Sequence, residues 1–261
     1  MPEGPEARVI ADQLCDLICG KTINQIEITP IGKLSGNVDN VINHKIEQVK
    51  SIGKKIIFEV SDYMIVTSLG MSGRFQTKPG AHSGVIFNLG DLKLYFDDTR
   101  HFGGIKIVPK DFNLNLGPDL LECSLTEEIS AERWKELLNR QRFGRRAICK
   151  ILLDQTIVAG IGNYLKSDIL YQCRIHPDTK LGVLTDEDLE NLRSFSHLII
   201  RSSYLANGLT IQTFLAPDMT MGKFNTFVYN RKTTTTGDRV FKIKSSDGRS
   251  SYITEEQILI K

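Results

Sequence analysis

Three residues near the start of the chain, Pro2, Glu3 and Glu6, have the types and spacing needed for covalent chemistry. If the initiator Met1 is removed, Pro2 presents a secondary amine, which no side chain supplies. A free α-amino group has a reference pKa of about 8, so a useful fraction of it is unprotonated at neutral pH. Such an amine attacks an electrophilic carbon to form an iminium. The alternative is an ordinary helix start, which also favours proline and acidic residues.

Turns flanked by glycines carry further residues that could contact a nucleic acid or take part in catalysis. Met71 lies on such a tip, and an adaptable apolar side chain there either packs in the core or wedges between bases. Arg100 and Phe102 precede a pair of glycines. They can fill the gap left by an extruded base, because phenylalanine stacks and arginine hydrogen-bonds the orphaned partner base. Lys54 follows a glycine, and it either faces a phosphate, donates a proton, or is a solvated strand end.

A Gly-x-Gly turn at residues 160–162 comes directly before Asn163. Its glycines allow backbone N–H groups at the start of the next helix to approach a phosphate, and the helix dipole favours the anion. The turn is not a dinucleotide fingerprint, because the third glycine is missing and no strand precedes it. It therefore favours binding to a nucleic-acid backbone, which positions a protein without reading sequence.

Basic residues are concentrated in one stretch, although the net charge is only +2. Seven lysines and arginines lie between Arg133 and Lys150, against a single acid, Glu136. A nearly neutral protein with such a stripe suits a groove for a polyanion. A solvated basic face is the alternative.

The hydrophobic pattern divides the chain into a β-rich first part and a helical second part. A helix is expected over residues 5–19, and a capping box from Thr185 to Asp188 begins the last long helix. β-branched and aromatic strands without intervening helices indicate an antiparallel sandwich. Strands are expected at residues 22–29, 45–50, 55–60, 63–69, 84–89, 93–96 and 105–108. Helices are expected at 130–140, 145–154, 163–172 and 185–205, followed by strands at 226–230, 239–244 and 250–254.

The composition is that of a soluble globular protein whose 261 residues form one large or two ordinary domains. It shows neither a long apolar run nor a signal-peptide pattern. Five cysteines without a framework spacing predict free thiols in a reducing, intracellular compartment.

Taken in order, these motifs resemble the Fpg/Nei family of bifunctional DNA glycosylases/AP lyases over nearly the whole chain. The resemblance implies an α+β fold in which an N-terminal helix and β-sandwich occupy residues 1–110 and a linker occupies 111–125. A helix–two-turn–helix domain follows at 126–222 and a β-hairpin finger at 223–261. DNA would lie in the cleft between the domains. The matching segments are Pro2–Glu6, Gly53-Lys54, Gly70–Gly73, Arg100–Gly103, Ala159–Asn163, Val228-Tyr229 and Gly248-Arg249.

Two features place the chain within the family. Gly4 resembles the Nei branch, which favours oxidised pyrimidines. The full set of Met71, Arg100 and Phe102 resembles both Fpg, which favours 8-oxoguanine and formamidopyrimidines, and some eukaryotic-type Nei-like enzymes. The family usually ends in a four-cysteine zinc finger, but Thr254 and Gln257 stand where one Cys-x-x-Cys pair would be. The resemblance therefore implies a zincless finger, with no metal and no organic cofactor.

The resemblance also implies a role for each candidate residue. Pro2 would attack C1′ of a damaged nucleotide, Glu3 would supply a proton, and Glu6 would orient the N-terminal segment. Two basic residues would hold or protonate the departing phosphates in β,δ-elimination, namely Lys54 and Arg249. The remaining residues would bind DNA or fill the void left by the flipped base, namely Met71, His82, Arg100, Phe102, Arg145, Lys150 and Asn163.

The expected partner is duplex DNA that contains an oxidised base or an abasic site, and we expect a monomer. The flipped base would meet a loop at about Leu215–Phe224. Two other classes of protein stay open on sequence grounds. One is a non-catalytic DNA-binding protein, which would not explain Pro2, Glu3 and Lys54 together. The other is a tautomerase-like small-molecule enzyme with a catalytic N-terminal proline, but such subunits are shorter and lack a basic helical domain.

Overall fold

A computed structural model describes residues 2–210 and 221–257 of the chain. The chain forms two compact units: Met1–Leu114 with Ala206–Lys223, and Asn115–Leu205 with Phe224–Lys261. Residues 206–223 thus group with the first unit, whereas the sequence pattern assigned residues up to 222 to the helical domain. Most of the loop expected to meet the flipped base, Leu215–Phe224, lies outside the described residues, as does Met1.

Within the described residues, the first unit contains one α-helix and two β-sheets. Helix α1 spans Gly4–Ile18, and Gly20 follows it with a positive φ of 83°, as expected for a residue that ends a helix. One sheet has the order β1-β7-β8-β6 and the other β2-β9-β5-β4-β3. The nine strands are Gln25–Ile28, Leu34–Ser35, Gln48–Ile52, Lys55–Val60, Tyr63–Ser68, Gly73–Gln76, Ser83–Asn88, Lys93–Asp98 and Gly104–Pro109, numbered β1 to β9.

The predicted antiparallel sandwich is confirmed, with one exception. Strands β2 and β9 pair in parallel, through Leu34 with Ile105 and Ser35 with Lys106. The sequence did not predict β2 or β6. The two residues of β2 are too few to show an alternating pattern.

Aromatic side chains join the two sheets. Phe58 of β4 lies 5.4 Å from the ring of Phe75 and 5.8 Å from that of Phe87, both in the other sheet. Phe75 in turn contacts Phe96 at 5.3 Å. Each such pair adds about 0.5–1.5 kcal/mol beyond the burial of apolar area. This core fixes the strand ends from which the candidate residues project.

The second unit is helical. The predicted capping box begins α7, because Thr185 N–H donates to Asp188 Oδ2 at 2.7 Å and Asp188 N–H donates to Thr185 Oγ1 at 3.1 Å. The segment predicted as a linker ends in a helix, α2, whose N-cap Asp119 accepts a hydrogen bond from Leu121 N–H. The α-helices in the described part of this unit are Leu120–Leu125, Ala131–Leu138, Arg140–Phe143, Ile148–Leu152, Asn163–Gln172 and Asp186–Leu205, numbered α2 to α7.

A β-hairpin follows these helices in the second unit. Strands β10 and β11, at Phe241–Lys244 and Ser250–Ile253, pair antiparallel. The strand predicted at residues 226–230 is wrong. Its backbone N–H groups donate to the buried carboxylate of Asp168 instead of to another strand.

All five cysteines are free thiols. In the described part of the chain, no helix is long and apolar enough to cross a membrane.

Candidate active site

The N-terminal segment is held by a buried carboxylate. Glu6 is fully buried and Glu3 is 2% exposed. Glu6 Oε2 accepts the N–H of Glu3 at 2.8 Å, and Glu6 Oε1 accepts the N–H of Leu209 at 3.1 Å. Because Glu3 directly follows the buried Pro2, this bond also limits where Pro2 can lie. Glu3 and Pro2 therefore lie together at the start of α1, on a backbone that Glu6 fixes.

Lys54 lies at the tip of the hairpin that joins β3 to β4. Gly53 before it has a φ of 57°, which suits glycine at the first position of a two-residue hairpin turn. Helix α1 packs on both strands, and the chain approaches β3 beside the C-terminal end of α1, where Gly20 N–H donates to Ile46 O at 2.8 Å. Five strand residues cover roughly 16 Å and α1 is about 22 Å long. The tip of the hairpin therefore lies away from the contact between Gly20 and Ile46 at the C-terminal end of α1.

Two neighbouring loops bring Met71, Arg100 and Phe102 together. Met71 and Phe102 are 41% and 62% exposed, and the Arg100 guanidinium lies 5.3 Å from the Phe102 ring centroid. The loops touch at Gly70, where a Cβ would come within 2.6 Å of the Phe102 carbonyl carbon. Large exposed apolar side chains of this kind are typical of a binding surface.

Asp98 ties these loops together, and sequence analysis missed it. Its Oδ1 accepts hydrogen bonds from Ser72 Oγ at 2.5 Å and from Arg100 N–H at 3.3 Å. Its Oδ2 accepts the N–H of Gly103 at 2.6 Å. An acid at a strand end carries no pattern of its own, so only the fold shows this role.

His82 lies beside the same loops. Its ring stands edge-on to that of His101, with 5.7 Å between the centroids. The backbone N–H of His82 donates to Asp97 Oδ1 at 3.0 Å. His101, which the sequence analysis did not single out, therefore lies beside the predicted His82.

In the second unit, Asn163 begins α6 and contacts the hairpin. Its side-chain Nδ2 donates to Ser250 O at 2.9 Å. The preceding turn is fixed by Gln155, whose Oε1 accepts the N–H of Gly160 at 3.1 Å. A primary amide has two N–H donors, so the bond to Ser250 orients the group and uses only one of them.

A buried ion pair holds the hairpin turn that carries Arg249. Lys166 Nζ lies 2.6 Å from Asp247 Oδ2, and the two side chains are 0% and 4% exposed. Asp247 Oδ1 accepts the N–H of Arg249 at 2.9 Å. Although burial by itself raises the pKa of Asp247, the hydrogen bond with Lys166 brings that pKa below its usual value. The α6 helix thus positions both Asn163 and the turn of Arg249.

Asp168, also on α6, holds the start of the segment that leads to the hairpin. It accepts the backbone N–H groups of Phe227, Val228 and Tyr229 at 3.0, 3.0 and 3.2 Å. Burial raises its pKa to about 6, although these three hydrogen bonds work in the opposite direction. Sequence analysis did not identify this residue.

Acids offset part of the charge of the basic stripe. Four of its members form ion pairs, including Lys135 and Arg140, which share Asp186. Arg133 and Arg146 pair with Glu136 and Asp154. In the described part of the chain no ion pair involves Arg142, Arg145 or Lys150, and all three are exposed. These three keep charge available for an anion.

The hairpin finger is held by hydrogen bonds and aromatic contacts. Thr254 N–H donates to Gln257 Oε1 at 3.1 Å, and Gln257 Nε2 donates to Ile175 O at 2.9 Å. The rings of Tyr229 and Tyr252 lie 5.0 Å apart. Zinc requires thiolate, imidazole or carboxylate ligands, and neither the hydroxyl of Thr254 nor the amide of Gln257 is one. The donor set at this position does not fit zinc.

Comparison with known proteins matches both parts of the chain. Residues 1–105 match the formamidopyrimidine-DNA glycosylase N-terminal domain and residues 116–214 match the formamidopyrimidine-DNA glycosylase H2TH domain. The formamidopyrimidine-DNA glycosylase of Rickettsia bellii is 30% identical over 273 residues, covering 97% of each chain. The MutM (Fpg) structure from Thermus thermophilus superimposes with a TM-score of 0.88 at 26% identity over 97% of each chain. The complex of Lactococcus lactis Fpg with DNA containing an abasic site, at 24% identity, has the same fold, with a TM-score of 0.86 over 97% of each chain.

The chain belongs to the Fpg/Nei family of DNA glycosylases. It is therefore an enzyme of base excision repair that acts on DNA.

Proposed function

We propose that this enzyme is a bifunctional DNA glycosylase/AP lyase whose nucleophile is the amine of Pro2. The observation that carries the proposal is the arrangement of Glu3 and Glu6, two buried carboxylates on the backbone that directly follows Pro2. Once Met1 is removed, the Pro2 nitrogen attacks C1′ of the damaged nucleotide, the base leaves, and an iminium forms. Met1 must be absent, because in its presence the nitrogen is part of an amide.

Glu3 and Glu6 have different roles in this proposal. Glu3 donates a proton as the sugar ring opens or the base departs, a contribution of roughly 10²–10⁴-fold. Glu6 acts through position, since both of its oxygens already accept backbone N–H groups, those of Glu3 and Leu209.

DNA is bound by charge and held open by the loop residues. Arg145, Lys150, His82 and the Asn163 amide contact phosphates, which gives affinity without sequence preference. Met71, Arg100 and Phe102 occupy the void left by the flipped nucleotide and stabilise the orphaned base. The support for this step is the shared exposure of Met71 and Phe102 on two touching loops.

Strand cleavage follows from the iminium, which acidifies the C2′ proton and allows β-elimination. Lys54 and Arg249 hold or protonate the departing phosphates through the second, δ-elimination. Lys54 is supported by its place at the tip of the β3–β4 hairpin, which packs on α1. Arg249 is supported by the turn that Asp247 and Lys166 fix.

We propose an oxidised pyrimidine as the favoured lesion, with ring-opened purines also accepted. Gly4 supports the pyrimidine, while the names of the relatives support formamidopyrimidines. A panel of duplexes with one lesion each, cut under single-turnover conditions, ranks them. Faster cutting of formamidopyrimidine than of every oxidised pyrimidine would refute the preference.

We also propose four functional segments, with the catalytic sandwich domain at residues 1–110, a linker at 111–125, the helix–two-turn–helix domain at 126–222 and the finger at 223–261. The grouping of residues 206–223 with the first unit supports ending the helix–two-turn–helix domain at about residue 205 and assigning 206–223 to the catalytic domain.

The test is cleavage of an abasic-site duplex, with the ends identified by gel mobility. The wild type should leave a one-nucleotide gap with phosphate at both ends. Glu3→Gln should slow base removal far more than cleavage of a preformed abasic site. Lys54→Gln should slow elimination, whereas Lys93→Gln, an exposed lysine paired with Glu27, is the matched control. Binding without any lesion-dependent cleavage would instead identify a non-catalytic DNA-binding protein.

A further inference from the structure

A cavity of about 680 Å³ lies in the first unit, beside Phe102 of the proposed site. It opens on the face of the five-stranded sheet that carries Lys55, Ser68 and Lys106. These residues share a face because Lys55 pairs with Ser68 and Ser68 pairs with Gly104. Lys106 is two positions beyond Gly104 on β9, so its side chain lies on the same face. Lys33, Phe102 and Phe112 also line the cavity. The lining contains no acidic residue.

The three lysines of this cavity have neutral partners. Lys33 Nζ donates to His101 O at 2.5 Å, and Lys55 Nζ donates to Ser68 Oγ. Lys106 Nζ lies 4.4 Å from the centroid of the Phe112 ring. Within the described residues, none of the three forms an ion pair with a carboxylate.

Lysines elsewhere on the same sheet are paired differently. At its other end, Glu59 contacts both Lys50 and Lys110, and Lys110 also lies 3.1 Å from Glu47. The sheet face is therefore divided into an end with internal ion pairs and an end with cations only. Removing an amine from water without a counter-ion is costly, and burial indeed lowers the pKa of Lys55. The end of the face that carries Lys55 and Lys106 therefore has no negative charge of its own, and a bound anionic ligand would supply one.

The position of Phe102 indicates which anionic ligand binds in this cavity. It lines the cavity and is 62% exposed on the loop that we assign to the void left by the flipped base. A DNA strand engaged by Phe102 must pass the mouth of the cavity, and its phosphates carry the missing charge. We propose that Lys55 and Lys106, with Lys33 at the rim, form a phosphate-binding site for the DNA backbone beside the Phe102 loop. This inference rests on the proposed function, because it uses the role given to Phe102 there.

The salt dependence of DNA binding tests this site. Affinity for a duplex with a stable abasic analogue is measured by fluorescence anisotropy at several potassium chloride concentrations. Removing one lysine–phosphate interaction lowers the slope of log K against log salt by about 0.9. For Lys55→Gln with Lys106→Gln the slope should fall by about 1.8, so the decrease in affinity between roughly 50 and 200 mM salt should be about 12-fold smaller.

Three variants keep the test independent of folding, which circular dichroism checks. Lys106→Gln alone changes an exposed residue and should lower the slope by about 0.9. Lys55→Arg keeps the charge and should keep the slope. Lys93→Gln is the control, because that lysine is paired with Glu27 in the same unit.

An unchanged slope in the folded double variant would overturn the inference. A free anion as the ligand is distinguished by inorganic pyrophosphate at constant ionic strength. Pyrophosphate could raise the Tm of the wild type but not of the double variant, while the two proteins show the same slope of log K against log salt for DNA binding. In that case the site binds small anions and the assignment to DNA is wrong. Cleavage of abasic DNA by the wild type is scored separately. Its absence would refute the proposed function, and cleavage with unchanged slopes would refute only this site.

Discussion

The buried pair of Lys166 and Asp247 offers the sharpest prediction about how the second unit positions Arg249. Asp247→Leu leaves the Lys166 amine buried without a counter-ion, and Lys166→Met leaves the Asp247 carboxylate in the same state. Breaking a buried pair from one side costs about 3–5 kcal/mol, whereas replacing both partners with apolar residues is often close to neutral. Asp247→Leu also removes the acceptor of Arg249 N–H and of Ser245 Oγ, which adds about 1–3 kcal/mol.

Urea unfolding followed by Trp134 fluorescence measures these energies. Trp134 is the single tryptophan of the chain, is 1% exposed, and belongs to the second unit, so it reports on the unit that contains the pair. We expect each single variant to lose at least about 3 kcal/mol and the double variant to lose less than the sum. Both single variants should also accumulate the β-elimination product, because Arg249 loses its fixed position. Losses below about 1 kcal/mol in both single variants, or additive losses in the double, would refute this reasoning.

Three further predictions concern other parts of the molecule. Asp98→Asn keeps one carbonyl oxygen in place of two carboxylate oxygens, so it should destabilise the loops by about 1.5–3 kcal/mol in an unfolding experiment. It should also weaken binding to abasic-analogue DNA in an anisotropy experiment. An affinity equal to that of the wild type would contradict this prediction. Burial lowers the pKa of His197, whose Nε2 accepts the N–H of Ile129. A depressed histidine pKa means that the unfolded state binds the extra proton first, so stability should fall as pH decreases below about 6.5, and His197→Gln should flatten that dependence; identical pH profiles would contradict it. Finally, elemental analysis should find no stoichiometric zinc and a chelator should leave cleavage unchanged, whereas one zinc per chain would contradict the structure of the finger.

Local patterns predicted the elements that depend on local residues. The bounds of β4 and α6 agree with the predicted ranges, because β4 is bounded by turns and α6 follows a glycine turn. The capping box of Thr185 was also predictable, since its partner lies three residues away. The types and spacing of Pro2 and Glu3 made them candidates for covalent chemistry, although an ordinary helix start fitted the same residues.

Features that depend on distant partners were not predictable. The segment at 226–230 has strand composition, but Asp168, some sixty residues earlier, accepts its N–H groups and keeps it out of a sheet. Asp98 links two loops that only the fold brings together. The charge of the stripe was overestimated for the same reason, because Asp186 pairs with two of its members from beyond the stripe.

Covalent trapping tests the central proposal most directly. Enzyme lacking Met1, as verified by intact mass, is mixed with abasic-site duplex and sodium borohydride, which reduces an iminium to a stable amine. We predict a one-to-one protein–DNA adduct that peptide mass analysis places on Pro2. Pro2→Gly should lower its yield, and Pro2→Gly combined with Glu3→Gln should lower it further. No adduct from the active enzyme, an adduct mapped to a lysine, or an undiminished adduct from the double variant would contradict the assignment of Pro2 as the nucleophile.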